Sequence, residues 1–223
     1  MDQRLTVYDD QTDLLESRVK SNYNKNGSNR YIISLAGVPG AGKTTFANKI
    51  ASIFNRDIAK TIVISQDGYH LYRSELLSLP NPEEAVRRRG APFTFNVQAF
   101  VNLVSKLKDK SEVRKVPSFD HKLKDPVEEN IIIDTDVSII ILEGNYVSLK
   151  DEHWDDISSY VDDTWFISTP EDLVRSRIIK RHLDSGIALD EEEAIERADG
   201  SDLQNAKYII ENSKLTNVLV LTR

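Results

Sequence analysis

Short apolar runs alternate with longer amphipathic segments along most of the chain. The runs predict strands over 31–36, 61–65, 113–117, 131–133, 137–142, 164–168 and 217–221. A short apolar run that is bounded by turn-forming residues is typical of a strand buried on both faces of a parallel sheet. Apolar residues recur every three or four positions over 12–23, 43–54 and 97–108, which predicts helices there. Strands that alternate with helices indicate an α/β fold, with a parallel sheet covered by helices on both faces.

Helix start signals appear in the last third of the chain. Thr169 precedes Pro170 and two acidic residues, the pattern of an N-cap followed by proline at the first helical position. Asp190 with Glu193, and Ser201 with Gln204, have the spacing of capping boxes. We therefore expect helices to begin at these three points.

The chain is expected to form one domain over 1–223. Its length of 223 residues suits a single larger α/β domain, and no internal repeat or low-complexity tract interrupts it. Residues 1–30 are predicted to be a helix followed by a polar linker at 24–29. A helical excursion is expected near 69–90.

The amino-acid composition limits the kinds of partner and site that the protein can have. Lys and Arg number 29 against 36 Asp and Glu, for a net charge of −7, which argues against binding nucleic acid or an anionic membrane surface. The absence of Cys excludes disulfides and thiolate metal sites. The first residues lack the apolar segment of a secretory signal, so we expect a cytoplasmic protein without a membrane span. The sequence leaves open whether the chain forms a homo-oligomer.

The strongest chemical signal follows the first predicted core strand. Residues 37–44 match the P-loop pattern G-x-x-x-x-G-K-[ST], between an apolar strand and an amphipathic helix. Glycines allow backbone N–H groups to turn toward phosphate oxygens, and the helix N-terminus adds partial positive charge. Lys43 would neutralise the β- and γ-phosphates, and the Thr44 hydroxyl would bind Mg²⁺. The residues expected to contact the nucleotide are Gly37, Val38, Pro39, Gly40, Ala41, Gly42, Lys43, Thr44 and Thr45.

Two carboxylates follow other predicted strands and would reach the same crevice. Asp67 comes directly after strand 61–65, and ligands of open α/β sheets lie beyond the carboxyl ends of the strands. Asp67 would then accept a proton from an attacking hydroxyl, unless it is simply a turn residue that caps a helix. Glu143 ends strand 137–142 and would hold Mg²⁺ directly or through water, unless it is a solvated acid at a strand end.

Four motifs in order give the chain a specific resemblance. They are Gly37–Thr45, Asp67-Gly68-Tyr69-His70, Pro117-Ser118-Phe119-Asp120-His121 and Leu142-Glu143-Gly144-Asn145. Together they resemble the P-loop kinase family that contains uridine kinase, phosphoribulokinase and type I pantothenate kinase. The resemblance implies a P-loop NTPase-type α/β fold with a helical lid at about 170–200, and transfer of the γ-phosphoryl group of ATP to an alcohol of a small metabolite. It implies Asp67 as general base, and Thr44 with Glu143 as the metal-binding residues.

The resemblance also assigns roles to arginines of the predicted lid. Arg177 and Arg181 are four residues apart and share a helix face, whereas Arg175 points elsewhere. Arginines of the family's lid close over the phosphates, so Arg177 and Arg181 are expected to be catalytic and Arg175 to contact the nucleotide. The alternative is a solvated basic face.

Substrate residues are carried over from the same motifs. The expected substrate contacts are Asp67, Tyr69, His70, Arg89, Phe119 and His121. Arg89 belongs to an Arg87–Arg89 run that either binds a substrate phosphate or carboxylate or completes a helix C-terminus before Gly90. The Asp67-Gly68-Tyr69-His70 motif departs from the Asp-Ser-Phe-Tyr of uridine kinases and leans toward pantothenate kinase. We place a nucleoside first as acceptor, with pantothenate and a sugar or sugar acid as alternatives.

A second class of function is a nucleotide-binding switch or regulatory protein without kinase activity. No glycine has Asp three residues before it, and neither Asn-Lys pair is followed by the Asp of a guanine-binding motif. The presence of Lys43, Thr44, Asp67 and Glu143 together favours an active kinase.

Overall fold

The buried apolar runs of the sequence form the centre of a six-stranded parallel sheet. The computed structural model describes residues 4–27, 29–120, 122–186 and 188–223. Its strands are β1 Leu5–Tyr8, β2 Tyr31–Gly37, β3 Thr61–Ser65, β4 Arg114–Asp120, β5 Asp125–Ile133, β6 Ile139–Gly144, β7 Asp163–Ser168 and β8 Val218–Leu221. The sheet order is β1-β8-β7-β2-β6-β3, and every residue of β2 and β6 is buried. The predicted parallel sheet is thus confirmed.

Helices flank this sheet. They are α1 Thr12–Lys25, α2 Lys43–Asp57, α3 Arg73–Leu76, α4 Pro82–Arg87, α5 Val97–Lys106, α6 Ile157–Tyr160, α7 Glu171–Asp184, α8 Glu191–Arg197 and α9 Leu203–Asn212. Shorter turns of 3₁₀-helix lie at Gln66–Tyr69, Pro92–Thr94 and Trp154–Asp156, and a π-helical turn at Ala198–Asp202 joins α8 to α9. None of the helices in these ranges combines the length and the apolar run that crossing a bilayer requires.

A hairpin of β4 and β5 stands apart from the main sheet. The two strands are antiparallel, with a register shift between Val116 and Ser118. The hairpin packs closely on the 3₁₀ turn after β3, because a Cβ atom on Gly68 would lie 2.4 Å from the carbonyl oxygen of Pro117. This contact fixes the hairpin beside the turn that carries Asp67.

Several local predictions are wrong in instructive ways. The N-terminal segment contains a strand, β1, that pairs with β8, in addition to the predicted helix. Strand β5 begins six residues before the short strand expected at 131–133. The Thr169 hydroxyl donates to the carbonyl of Ala41 in the P-loop instead of capping a helix. No helix begins at Ser201, because the π-helical turn runs without a break into α9.

The strand order brings the important loops together. Strand β2 lies between β7 and β6, and β3 lies beside β6 at the sheet edge. All of these strands are parallel, so the P-loop after β2, the turn after β3 and Glu143 in β6 meet at one end of the sheet.

Candidate active site

The P-loop forms an open cradle of backbone groups at the start of α2. Gly40 and Gly42 have φ angles of 76° and 87°, which only glycine adopts without strain. Gly42 occupies the N-cap position of α2 and has no side chain that could satisfy the helix's first N–H groups. Those donors and the helix dipole are therefore free to bind phosphate oxygens.

Lys43 is buried beneath this loop. Its Nζ atom donates to the carbonyl oxygen of Val38 at 3.0 Å and to Oδ1 of Asn145 at 2.6 Å. Burial lowers the pKa of Lys43 to about 8, although the carboxylates of Glu143 and Asp67 act in the opposite direction. The phosphates of a bound triphosphate would place negative charge beside this desolvated ammonium group and so stabilise its charged form.

Glu143 and Thr44 form a second pair at the same place. The Thr44 hydroxyl donates to Oε1 of Glu143 at 3.2 Å. Glu143 is almost completely buried, and this burial raises the pKa of its carboxyl group, while Lys43 opposes the shift. A hydroxyl and one carboxylate are the protein ligands that Mg²⁺ commonly takes when phosphates complete its shell. Within the described ranges, no cluster of three or more acidic or histidine side chains offers a metal site of its own.

Asp67 approaches the pair from the exposed side. It lies in the 3₁₀ turn after β3, where its backbone N–H donates to the Ser65 hydroxyl at 3.2 Å. Its side chain is 41% exposed. Its charge acts on both Lys43 and Glu143, so the three ionisable groups share one site. An exposed carboxylate beside a phosphate cradle is accessible to a second substrate.

The three lid arginines point in two directions. Arg177 lies over the P-loop, with its Nη1 atom 3.6 Å from the position of a Cβ on Gly42. The charge of Arg181 acts on Lys43, and its Nη2 atom is 3.4 Å from Oδ1 of Asp202. Arg175, in contrast, forms two hydrogen bonds with Asp199, at 2.6 and 2.8 Å. The structure thus brings Arg177 and Arg181 toward the predicted phosphates and ties Arg175 to the π-helical turn.

Helix α7 packs directly on the P-loop. A Cβ on Gly40 would lie 2.9 Å from Cγ1 of Ile178 and 3.0 Å from the carbonyl oxygen of Val174. The helix that carries the arginines is therefore in close contact with the loop, through the Ile178 side chain and the Val174 carbonyl group.

The expected substrate residues form an aromatic and ionic wall beside Asp67. The His70 ring lies 4.0 Å from that of Phe95 and 4.8 Å from that of Phe119. Nδ1 of His70 is 2.9 Å from the carbonyl oxygen of Asp67. Tyr69 is buried, with its ring 5.0 Å from that of Phe100.

Arg89 lies in the same wall, but its guanidinium group already has hydrogen-bond partners. Its Nη2 atom donates to Oδ1 of Asp125 at 2.9 Å and to the carbonyl oxygen of Leu71 at 3.0 Å. Its guanidinium carbon lies 5.7 Å from the centre of the Phe119 ring. These contacts link the Arg87–Arg89 segment to the hairpin. His121, also predicted to contact the substrate, lies outside the described residues.

A cavity of about 480 Å³ lies between the 3₁₀ turn after β3, helix α5 and the hairpin. Its lining includes Tyr69, His70, Tyr72, Lys106, Lys115 and Glu128. Lys43, Asp67 and Glu143 do not line it. The cavity therefore shares His70 with the wall beside Asp67, but the P-loop does not line it.

Two side-chain amides at the site, of Asn145 and the buried Gln66, received no role from the sequence. Asn145 binds Lys43, and its only signal was its position directly after Glu143-Gly144. Gln66 accepts a hydrogen bond from the Tyr146 N–H at 2.9 Å and fills the space above Gly144, where a Cβ would lie 2.3 Å from Oε1 of Gln66. Gln66 thereby joins the turn after β3 to the end of β6.

This combination of a P-loop, a buried lysine, a hydroxyl–carboxylate pair and an arginine-bearing helix defines the class of P-loop kinases. Comparison with known proteins agrees: the phosphoribulokinase/uridine kinase family profile matches residues 32–197, and the chain belongs to that family. It is an ATP-dependent P-loop kinase by this membership.

Several proteins that are similar to this chain in sequence or in structure are named as kinases. The chain is 41% identical over 150 residues to an ATP-dependent kinase-like protein of Aspergillus versicolor, covering 66% of this chain and 87% of the relative. It is 36% identical over 194 residues to a Schizosaccharomyces pombe protein named "putative uridine kinase", covering 86% of this chain and 83% of that protein. A solved Silicibacter structure, named "putative fructose transport system kinase", has a TM-score of 0.86 and 28% identity, and covers 94% of this chain and 98% of that chain.

Proposed function

We propose that the protein transfers the γ-phosphoryl group of ATP to a hydroxyl group of a small metabolite, with Asp67 as the general base. The observation that carries the proposal is the position of the exposed Asp67, two residues after Ser65, which pairs with Glu143 of the neighbouring strand, while Thr44, next to Lys43, donates to Glu143. A kinase of this kind needs a carboxylate that a second substrate can reach, and Asp67 is the acid at this site with that exposure.

Each residue of the site has a defined task in this proposal. The P-loop N–H groups and Lys43 bind the phosphates, and Thr44 with Glu143 would hold Mg²⁺. The bound ion supplies positive charge against the phosphate oxygens. Asp67 accepts the proton of the acceptor hydroxyl as its oxygen approaches phosphorus, which raises the nucleophilicity of that oxygen. Arg177 and Arg181 stabilise charge on the transferring group.

The acceptor binds on the exposed side of Asp67, beside the wall of rings from the turn and the hairpin. His70 and Phe119 offer ring faces on this side of the site, and Arg89, held by Asp125, packs on the Phe119 ring. A nucleoside is the acceptor that the sequence resemblance ranks first, and pantothenate or a sugar acid are its alternatives. A cytoplasmic location stays a prediction from the sequence.

Acceptor-dependent turnover tests the proposal. Purified protein is given ATP and Mg²⁺, and ADP release is measured with and without nucleosides, pantothenate, glycerate and free sugars, with mass spectrometry of the products. We expect ADP release to rise with at least one alcohol, with one phosphoryl group added to it, and to vanish in Lys43→Met. ATP binding without any acceptor-dependent turnover would instead favour a regulatory nucleotide-binding protein.

A further inference from the structure

Arg88, at the edge of the candidate site, is a cation that has no acidic partner among the residues the structure describes. It follows α4 directly, and the chain turns two residues later at Gly90, whose φ is 102°. Its Nη2 atom donates to Oδ1 of Asn205 at 3.1 Å, and its Nε atom is buried without a hydrogen-bond partner. Asn205 is itself buried and uncharged, so within the described ranges this bond leaves the charge of Arg88 unbalanced.

Two other arginines, Arg30 and Arg89, show what a purely structural role looks like here. Arg30 is completely buried and donates to the backbone carbonyls of Leu107, Asp109, Asp134 and Val137. Arg89, the neighbour of Arg88, has the carboxylate of Asp125 and a backbone carbonyl. A guanidinium group has five N–H donors, and Arg88 uses one of them in its bond to Asn205. Unused donors of this kind are suited to a ligand.

Tyr146 places Arg88 next to the reaction centre. The Tyr146 hydroxyl donates to the carbonyl oxygen of Gly90, which fixes the end of the Arg88 segment. Burial raises the pKa of Tyr146, and the charges of Arg88, Asp202 and Asp67 all act on the same phenol. The Tyr146 backbone N–H also donates to Oε1 of Gln66, the residue before Asp67, so Tyr146 joins the Arg88 segment to the turn that carries the proposed base.

We propose that Arg88, oriented by Asn205, binds the carboxylate of the acceptor, and that the acceptor is a small hydroxylated carboxylic acid. The inference rests on the proposed function. Arginine presents a planar fork that matches a carboxylate. Arg88 replaces Arg89 in this role, because Arg89 already has Asp125 as its partner.

Charge balance favours a carboxylate over a phosphate ester. One unmatched cation balances one negative charge, whereas a phosphate dianion needs a second. A neutral nucleoside would leave Arg88 unbalanced in the closed complex, which costs binding free energy.

Matched pairs of acceptors test the inference. Wild-type protein is assayed with D-glycerate and glycerol, D-gluconate and D-glucose, and pantothenate and pantothenol, together with uridine and glycerol 3-phosphate. We expect kcat/KM for the acid to exceed that for its neutral partner by roughly 100-fold in at least one pair, since removing one partner of a hydrogen-bonded charge pair costs about this much.

Variants connect that preference to Arg88. In Arg88→Gln the acid-to-neutral ratio is expected to fall to near one, mainly through a higher KM for the acid, with the Kd for ATP unchanged. Asn205→Asp keeps the arginine and adds a carboxylate that neutralises it, so it should remove the same preference even where Arg88→Gln fails to fold. Arg87→Gln is the control, because Arg87 is 64% exposed and pairs with Glu84.

The outcomes separate the two proposals. Three results would overturn the role of Arg88 and leave the kinase proposal intact. They are equal use of acid and neutral acceptors, phosphorylation of uridine alone, and an acid preference that survives both variants. Phosphorylation of glycerol 3-phosphate but of no carboxylic acid overturns the carboxylate assignment. If ATP binds and no acceptor in the panel is phosphorylated, the proposed function fails, and the acceptor assignment fails with it.

Discussion

The ammonium group of Lys43 lies 2.6 Å from Oδ1 of Asn145, a hydrogen bond that joins the P-loop helix to the loop after β6. The bond holds a buried lysine in position before any phosphate is bound. It also connects two sequence motifs that lie about a hundred residues apart along the chain. Removing it tests whether the cradle depends on this partner.

We expect Asn145→Ala to destabilise the fold by about 1–3 kcal/mol, because it leaves a buried ammonium group with one acceptor fewer. ATP affinity should fall as well, since Lys43 loses its fixed position. Chemical denaturation and calorimetric titration with ATP measure the two effects. Asn102→Ala is the control, because Asn102 is exposed on α5. Unchanged stability and affinity in Asn145→Ala would show that the bond has no role.

ATP binding should weaken as pH rises through the pKa of Lys43. Burial lowers the pKa of Lys43 to about 8 in the free protein, and bound phosphates would raise it again. ATP therefore prefers the protonated lysine, and its Kd should increase roughly tenfold between pH 7 and pH 9. Lys43→Arg remains charged throughout this range and should show a flat profile. A flat profile in the wild-type protein would contradict the position of Lys43.

Gly40 should not tolerate a methyl group. Its φ is 76° and a Cβ would meet Ile178 and Val174 of α7, so Gly40→Ala combines backbone strain with a clash. We expect a loss of about 1–4 kcal/mol in the free energy of unfolding and a large loss of ATP affinity. Gly27→Ala is a matched control, because Gly27 has a φ of 71° and, its sequence neighbours aside, no atom of the described part of the chain lies within 4 Å of its Cβ position. Equal losses in the two variants would mean that strain alone acts and that the contact with α7 does not matter.

Two acids of the π-helical turn should differ sharply in importance. Asp202 accepts a hydrogen bond from Nε2 of the buried His182 at 2.7 Å and lies beside Arg181. Asp202→Ala removes this partner, and we expect about 1–3 kcal/mol of destabilisation together with slower turnover, because Arg181 loses its neighbour. Asp199→Ala, which breaks an exposed pair with Arg175, should change little. Thermal denaturation and steady-state kinetics of both variants decide this point, and equal effects would count against a positioning role for Asp202.

The central sheet could be predicted from the sequence because its strands are short apolar runs, and the two at its centre, β2 and β6, are buried on both faces. Strand β3 begins and ends at the residues expected from its apolar run, and β2 extends only one residue further. Strand β1 has Val7 as its buried residue in a four-residue edge strand, so it carries no such run. Much of β5 is exposed and charged, and its pairing with β4 is therefore invisible to hydrophobic pattern.

The candidate site likewise has a part that could be predicted from the sequence and a part that could not. The P-loop and the Asp67 and Glu143 positions follow local rules, since each comes at the end of a buried strand. The contacts of Asn145 with Lys43, and of Arg88 with Asn205, join residues more than a hundred positions apart. Such pairs depend on tertiary packing, which no local pattern encodes. The preference of Arg175 for Asp199 is of this kind as well.

The most direct test of the account is acceptor-dependent ADP release in Asp67→Asn, measured beside ATP affinity. Asparagine keeps the size of the side chain but cannot take the proton of the acceptor hydroxyl. We predict an unchanged Kd for ATP and a fall in kcat of roughly 10²–10⁴-fold with the preferred acceptor. A kcat within a few-fold of the wild-type value would contradict Asp67 as the base and, with it, the proposed mechanism.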